Sequence, residues 1–148
     1  MDSNPQIEIL MAEDSPSDLA IAQEAIKSSK LLNRLHIVSN GEEVLAFLRR
    51  DAPFAEAPVP DLILLDVNMP RKTGLEALAE IKEHPHWKRI PVVILTASKA
   101  ERDLISAYEH HANCYIVKPV DFEQFVEVIR IIENFWFTVV KLPPKEIL

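Results

Sequence analysis

Glycine and cysteine are scarce in this chain of 148 residues, which has two glycines and one cysteine. A single cysteine, Cys114, cannot form a disulfide within the chain, so a disulfide-stabilised scaffold is excluded. Gly41 follows Asn40 in a predicted tight turn. Gly74 is predicted to let the loop beyond Asp66 turn into a helix. Each glycine is therefore expected to be required by the backbone conformation at its position.

Long apolar runs and extended basic clusters are also missing. No apolar segment approaches the roughly 20 residues that span a bilayer, and no basic region followed by an apolar stretch marks a signal peptide at the amino terminus. The net charge is −7, and basic clusters such as Arg49-Arg50 are too short for a nucleic-acid surface. We therefore expect a cytoplasmic protein that binds neither nucleic acid nor membrane.

The length predicts one folded domain. A chain of this size buries roughly two-thirds of its unfolded surface, which suffices for a core on both sides of a sheet. We expect residues 1–148 to form a single domain whose carboxyl-terminal helix continues into a tail from about residue 134. No second, output domain fits within this length.

Strand-like and helix-like segments alternate five times along the chain. The predicted strands are 7–12, 34–39, 61–65, 91–96 and 113–117. The predicted helices are 16–30, 41–50, 74–84, 99–111 and 121–139. Such alternation indicates an α/β fold built from βαβ units with right-handed crossovers and a parallel sheet.

Local signals support several of these boundaries. Ser15 followed by Pro16 predicts the start of the first helix, and Asp121 predicts the start of the last. The segment 51–60 carries three prolines and cannot lie inside a helix. It is predicted to be an ordered or semi-rigid connecting loop within the single domain.

Acidic residues and one lysine follow three of the predicted strands: Glu13 and Asp14, then Asp66, then Lys118. The functional crevice of an open parallel sheet lies beyond the carboxyl ends of its strands, so these side chains should converge. At an effective dielectric near 20, two like charges about 4 Å apart repel by roughly 4 kcal/mol. Three carboxylates thus require a cation or raised pKa values. Mg²⁺, which combines a few carboxylates with waters and phosphate oxygens, fits such a site.

Five separated motifs share this order along the chain: Glu13-Asp14, Leu64-Leu65-Asp66-Val67-Asn68-Met69-Pro70, Gly74, Pro91-Val92-Val93-Ile94-Leu95-Thr96-Ala97 and Lys118-Pro119. In this order and spacing they resemble the receiver domain of two-component response regulators, over about residues 7–135. The resemblance implies a (βα)5 doubly wound, five-stranded parallel sheet of the flavodoxin-like type. It also implies a domain that accepts a phosphoryl group from a histidine kinase and acts on no external substrate.

The resemblance assigns roles to particular residues. It makes Asp66 the phosphoacceptor and implies Mg²⁺ binding by Asp14, Asp66 and the backbone carbonyl of Asn68. Glu13 would act through metal-bound water or at longer reach. Lys118 would neutralise phosphoryl oxygens that gain charge as the aspartate attacks.

Two further residues are expected to transmit the modification. The Thr96 hydroxyl can hydrogen-bond a phosphoryl oxygen. Tyr115 resembles the family's aromatic switch, whose ring turns inward when the threonine is drawn to phosphate. Taken alone, Thr96 would be an ordinary strand-end residue, and Tyr115 would be equally compatible with core packing. In the family the Lys118-Pro119 bond is cis.

Two other classes of function use similar residues. A phosphohydrolase with an aspartyl-phosphate intermediate also needs an aspartate, Mg²⁺, a hydroxyl and a lysine, but it requires a second carboxylate two residues after the nucleophile, where this chain has Asn68. That class is therefore disfavoured. A pure interaction domain is disfavoured because the acidic, threonine and lysine positions are all occupied as a phosphoacceptor site requires.

The predicted last helix has two apolar stripes. One, suited to the sheet, consists of Phe125, Ile129, Ile132 and Trp136. The other is a predicted homodimer interface and consists of Val128, Ile131, Phe135 and Val139. The alternative is one broad buried face. The tail 134–144 and the loop 51–60 further resemble single-domain regulators of cyanobacterial phytochromes, which implies a light-regulated histidine kinase as donor and signalling through contact with an unknown downstream protein.

Overall fold

The structure is a computed structural model that describes residues 7–28, 33–67, 69, 71–96, 114–117, 122, 123, 125–127 and 130. For Thr96 and residues 114–117 it describes the backbone. The predicted helix over 99–111 and the predicted cap at Asp121 lie outside the described residues.

Five strands form one sheet in which every neighbouring pair is parallel. In chain order they are β1 (Ile7–Ala12), β2 (Asn33–Val38), β3 (Leu62–Asp66), β4 (Val92–Thr96) and β5 (Cys114–Val117). Their order across the sheet is β2-β1-β3-β4-β5. All five predicted strands are confirmed to within one residue. Because the chain changes direction across the sheet at β1, a crevice is expected between the ends of β1 and β3.

The described helices are close to the predicted ones. They are α1 (Pro16–Lys27), α2 (Gly41–Arg49) and α3 (Gly74–Glu83), and described residues between 122 and 130 are also helical. The predicted end of the first helix at residue 30 is wrong. Ser28 ends α1 because its hydroxyl donates to the carbonyl of Ala25 at 2.8 Å and satisfies part of the last turn. A short 3₁₀ helix, Trp87–Arg89, was not predicted.

A side chain caps the amino terminus of α1 and of α2. Ser15 accepts a hydrogen bond from the Asp18 N–H, with proline at the first helical positions, as predicted. Asn40 accepts from the Glu43 N–H at 2.9 Å and caps α2. Gly41 was predicted to lie in a tight turn, but it is the first residue of α2. Neither glycine has a positive φ.

Both faces of the sheet are buried. On one face, strand side chains such as Leu10 and Ile63 pack with α2 and α3. On the other, Met11 and Leu64 pack with α1 and with Phe125 of the carboxyl-terminal helix. This two-sided core is the reason that the strands read as continuous apolar runs. Phe125 confirms one position of the predicted sheet-facing stripe; the remaining members lie outside the described residues.

The proline-bearing segment 51–60 is an ordered connection, as predicted. The N–H of Phe54 donates to the carbonyl of Asp51 at 2.7 Å, and the N–H of Ala57 donates to the carbonyl of Phe54 at 3.0 Å. The Phe54 ring lies 5.5 Å from that of Phe47 in α2. Within the ranges given above, the helices are too short or too polar to cross a membrane.

Candidate metal and phosphate site

The first part of the site is the segment that joins β1 to α1. The N–H of Glu13 donates to the carbonyl of Val38, the last residue of β2, at 3.0 Å. This bond holds Glu13 at the edge of the sheet, where its side chain is buried, whereas Asp14 is exposed. Ser15 then starts α1, so the two acidic residues occupy a short, restrained connection.

The second part is the end of β3. Asp66 is the last residue of this central strand, and its side chain is almost fully buried. It pairs in register with Leu95 of β4. The Val67 N–H continues this pairing by donating to the carbonyl of Leu95 at 2.8 Å. Asp66 is therefore held by strand pairing at the crevice that the sheet order predicts.

These two parts bring three carboxylates together. One oxygen from each of Glu13, Asp14 and Asp66 can be chosen so that all three lie within 4.8 Å of one another. The convergence predicted from the sequence is thus observed. At this separation and an effective dielectric near 20, each pair of charges repels by roughly 3 kcal/mol. The donors are all hard oxygen atoms, so they suit a divalent cation such as Mg²⁺ or Mn²⁺.

The strands also carry the other predicted residues toward this edge. Thr96 is the last residue of β4 and pairs with Val117, the last residue of β5. The ends of β3, β4 and β5 are therefore adjacent, and Lys118 follows directly in sequence. The side-chain positions of Thr96 and Tyr115 lie outside the described part of the chain, as do Asn68 and Lys118, so their roles stay predictions.

The loop after Asp66 is fitted closely against the strand end. The Gly74 N–H donates to the carbonyl of Val67 at 3.1 Å. A Cβ atom on Gly74 would lie 2.1 Å from the carbonyl oxygen of Asp66. The prediction that Gly74 lets this loop enter its helix is confirmed, but the physical reason is close backbone approach rather than a positive φ. In this loop the positive φ, 63°, belongs to Arg71.

The helix cap that fixes the end of this loop was not predicted from the sequence. Thr73 and Glu76 form a capping box: the Thr73 N–H donates to Glu76 Oε1 at 2.9 Å, and the Glu76 N–H donates to Thr73 Oγ1 at 3.2 Å. The bond from the Thr73 N–H to the Glu76 carboxylate is the main reason that the pKa of Glu76 is lowered. The spacing of threonine and glutamate three residues apart was a visible signal for this cap.

Lys72, in the same loop, directs its ammonium group to Glu80 of α3. The hydrogen bond that the Lys72 ammonium donates to the Glu80 carboxylate is the main reason that the pKa of Lys72 is raised. The ammonium group of Lys72 is therefore paired with a carboxylate of α3. The loop is therefore tied to α3 by a side-chain contact as well as by its helix cap.

The strand order and the carboxylate cluster at the carboxyl ends of β1 and β3 define a flavodoxin-like α/β domain with a candidate metal and phosphate site. The response regulator receiver domain family matches residues 9–130. Response regulator Rcp1 of Synechocystis sp. is 44% identical over 142 residues, which is 96% of this chain and 97% of Rcp1.

Two solved structures are similar throughout. The phosphorylated cyanobacterial phytochrome response regulator RcpA has a TM-score of 0.85 at 41% identity, over 95% of this chain and 100% of RcpA. The Mn²⁺-bound form of Rcp1 has a TM-score of 0.83 at 43% identity, over 93% of this chain and 99% of Rcp1. The chain therefore belongs to the response regulator receiver domain family, the phosphoryl-accepting proteins of two-component signal transduction.

Proposed function

We propose that this protein accepts a phosphoryl group on Asp66 in a Mg²⁺-dependent reaction. The observation that carries the proposal is the cluster of Glu13, Asp14 and Asp66 carboxylates within 4.8 Å. Asp66 is the member that terminates the central strand beside β4, which ends in Thr96. A phosphoryl group on Asp66 would thus lie next to the predicted hydroxyl partner.

Mg²⁺ would be held by Asp14, Asp66 and the backbone carbonyl of Asn68, with Glu13 acting through metal-bound water or at longer reach. The Mn²⁺-bound form of Rcp1 supports a divalent cation at such a site. When bound, the cation neutralises charge on the carboxylates and on the incoming phosphoryl oxygens. Each of these donors is an oxygen atom, and this chemistry is the one that Mg²⁺ prefers.

In the transfer step, a carboxylate oxygen of Asp66 attacks phosphorus. The new P–O bond forms as the P–N bond to the donor histidine breaks, and the bonding electrons return to the imidazole. Lys118 would neutralise the phosphoryl oxygens, and Thr96 would donate its hydroxyl hydrogen to one of them. Water later hydrolyses the acyl phosphate, so that the protein acts only on its own phosphoryl group.

The donor in this proposal is a phytochrome-type histidine kinase in the cytoplasm. Similarity to RcpA, described as a cyanobacterial phytochrome response regulator, supports that pairing. Thr96 and Tyr115 would switch the β4–β5 edge after phosphorylation. Residues 1–148 would then act as a single receiver domain on a downstream protein by contact.

The test of phosphoryl transfer is acid-labile labelling with acetyl phosphate. Wild type should gain one phosphoryl group per chain, measured by intact mass, and chelation of Mg²⁺ should abolish the gain. Asp66→Asn should stay folded without labelling. Asp61→Asn, which changes a buried aspartate at the opposite edge, is the matched control and should label. Labelling of Asp66→Asn equal to wild type contradicts the proposal, whereas rapid hydrolysis of an external phosphate ester would indicate a phosphohydrolase.

We also propose homodimerisation through Val128, Ile131, Phe135 and Val139, which lie outside the described residues. Phe125 packs on the sheet, which supports a separate role for the second stripe. Phe135→Asp should weaken the dimer roughly thirtyfold or more, because an interface aromatic commonly contributes 2 kcal/mol or more. Sedimentation across a dilution series measures this, with circular dichroism as the folding control. A folded variant that dimerises like wild type would refute the interface.

A further inference from the structure

The β2–α2 connection, defined as residues 38–41 from the last residue of β2 to the first residue of α2, contributes no acidic side chain to the carboxylate cluster. Its backbone nevertheless contacts both segments that form the cluster. On one side, the carbonyl of Val38 accepts from the N–H of Glu13 at 3.0 Å. On the other, the N–H of Gly41 donates to the carbonyl of Lys72 at 2.9 Å. Lys72 belongs to the loop that follows Asp66. The connection therefore joins the acidic segment after β1 to the loop after β3.

The contact with Lys72 leaves no room for a side chain at position 41. A Cβ atom on Gly41 would lie 2.4 Å from the carbonyl oxygen of Lys72 and 2.9 Å from its carbonyl carbon. Real Cβ atoms essentially never come within 3.0 Å of such atoms. Since Gly41 has a negative φ, the requirement for glycine is spatial. Any larger residue must push the Lys72 carbonyl away or move α2.

The loop after Asp66 is restrained at several positions and cannot easily accommodate a displacement of the Lys72 carbonyl. The Met69 side chain is buried in the core against α2 and α3. The Gly74 N–H is bonded to the carbonyl of Val67, and Thr73 is fixed by its capping box. A displacement at Lys72 therefore acts on a loop whose two ends, Val67 and Gly74, are bonded to each other directly after Asp66. Gly74 also lies against the Asp66 carbonyl, so a displacement of the loop reaches the central carboxylate of the proposed metal site.

We infer that the β2–α2 connection positions the two metal-binding segments relative to each other, with Gly41 as the positioning residue. This inference rests on the proposed function, because it assigns a support to the same metal site. Gly41 touches neither the metal nor the phosphoryl group. It acts by letting the backbone of α2 approach the loop after Asp66 closely.

The test compares two folded variants in their unphosphorylated state. Gly41→Ala introduces the obstructing Cβ. Asn40→Ala removes the neighbouring helix cap, the bond from the Glu43 N–H, and leaves the contact between Gly41 and Lys72 intact. Mg²⁺ affinity is measured by calorimetry and thermal stability by circular dichroism. Gly41→Ala should bind Mg²⁺ roughly tenfold more weakly or worse, whereas Asn40→Ala should stay within about twofold of wild type despite its weakened helix.

A second measurement needs no variant, in case Gly41→Ala fails to fold. Mg²⁺ should slow hydrogen exchange of the Gly41 amide by about fivefold or more, because cation binding restrains the loop that accepts its hydrogen bond. The Ile90 amide, bonded to the carbonyl of Trp87 at the other edge of the sheet, is the internal control. Its exchange should not respond.

The outcomes separate this inference from the proposed function. If wild type does not bind Mg²⁺, both are overturned. If wild type binds Mg²⁺ and a folded Gly41→Ala binds it equally well, only the inference is overturned. Equal weakening in Gly41→Ala and Asn40→Ala also overturns it, because the effect would then reflect the stability of α2. If Mg²⁺ leaves the hydrogen-exchange rate of the Gly41 amide unchanged, the inference is also overturned.

Discussion

The two edges of the sheet both bury carboxylates but surround them differently. At the amino-terminal edge, Glu8 Oε1 lies 2.8 Å from His36 Nε2, and Glu8 Oε2 lies 3.6 Å from Arg34 Nη1. The neighbouring Asp61 carboxylate accepts a hydrogen bond from the Glu8 N–H at 2.9 Å. Donors supplied by the protein itself thus surround this acidic pair, which is the arrangement expected of structural carboxylates.

At the carboxyl-terminal edge, the Glu13, Asp14 and Asp66 carboxylates face one another. Their mutual repulsion is a cost to the folded state that a cation would remove. The comparison teaches that burial alone does not identify a functional carboxylate. Among the described residues, the two edges differ in that three carboxylates converge at the carboxyl-terminal edge, and this difference gives opposite expectations for the same kind of substitution.

The largest effect expected from this comparison is stabilisation by Mg²⁺ at the carboxyl-terminal edge. A ligand that binds only the folded state at a concentration of 100 times its Kd adds about 2.7 kcal/mol to the free energy of unfolding. Chelation should remove this increment from wild type, while Asp66→Asn should show little of it. Urea unfolding with Mg²⁺ or chelator measures the difference. An equal response of Glu8→Gln and wild type is the control.

The next effect belongs to the amino-terminal edge. Glu8→Gln should lower the free energy of unfolding by about 2 kcal/mol, because it removes the charge from a buried hydrogen-bonding partner of His36. The loss should be the same with and without Mg²⁺. A variant as stable as wild type, or one whose loss depends on Mg²⁺, would show that the two edges are not chemically distinct.

Without Mg²⁺, the matched change at the other edge should have the opposite sign. Asp66→Asn replaces one of three mutually repelling carboxylates with a neutral side chain of the same shape. We expect the free energy of unfolding in chelator to rise by about 1 kcal/mol. The same urea titrations measure it. A clear destabilisation in chelator would mean that the contacts of the Asp66 carboxylate within the protein outweigh this repulsion.

The smallest effect concerns Lys82, a half-buried lysine near the amino-terminal edge. Lys82 Nζ donates to the carbonyls of Lys88 and Ile90 at 3.1 and 2.7 Å, and burial lowers its pKa to about 8. Because the unfolded chain binds this proton more tightly, the cost of burying the charge is present below pH 8. Stability should therefore rise as the pH increases from about 8 toward 10.5.

The two carbonyl contacts oppose the effect of burial, so we expect this gain to be less than about 1 kcal/mol. Lys82→Met is the control, because it keeps the aliphatic stem and lacks the titrating group. The difference between the two stability curves over this pH interval is the quantity to measure. A wild-type curve that falls relative to the variant would show that the pKa of Lys82 is raised instead.

The sequence by itself determined the five strands and the convergence of Glu13, Asp14 and Asp66. Strands β1, β3 and β4 are short apolar runs bounded by turn residues, and a run buried on both faces has a strong local signature. The carboxyl ends of parallel strands must meet at one edge, so the position of an acid after a strand was enough to predict its neighbours.

Only the tertiary structure decided the end of α1 at Lys27, the partners of Glu8 and the spatial requirement at Gly41. Each depends on contacts that the local pattern does not contain. Gly41 looks like a turn residue in sequence, but its constraint comes from the Lys72 carbonyl in another loop. Glu8 lies in an apolar run, and its role became visible when β2 brought Arg34 and His36 beside it. Periodicity reports which face of an element is buried, whereas the atoms that meet there are set by the packing of distant segments.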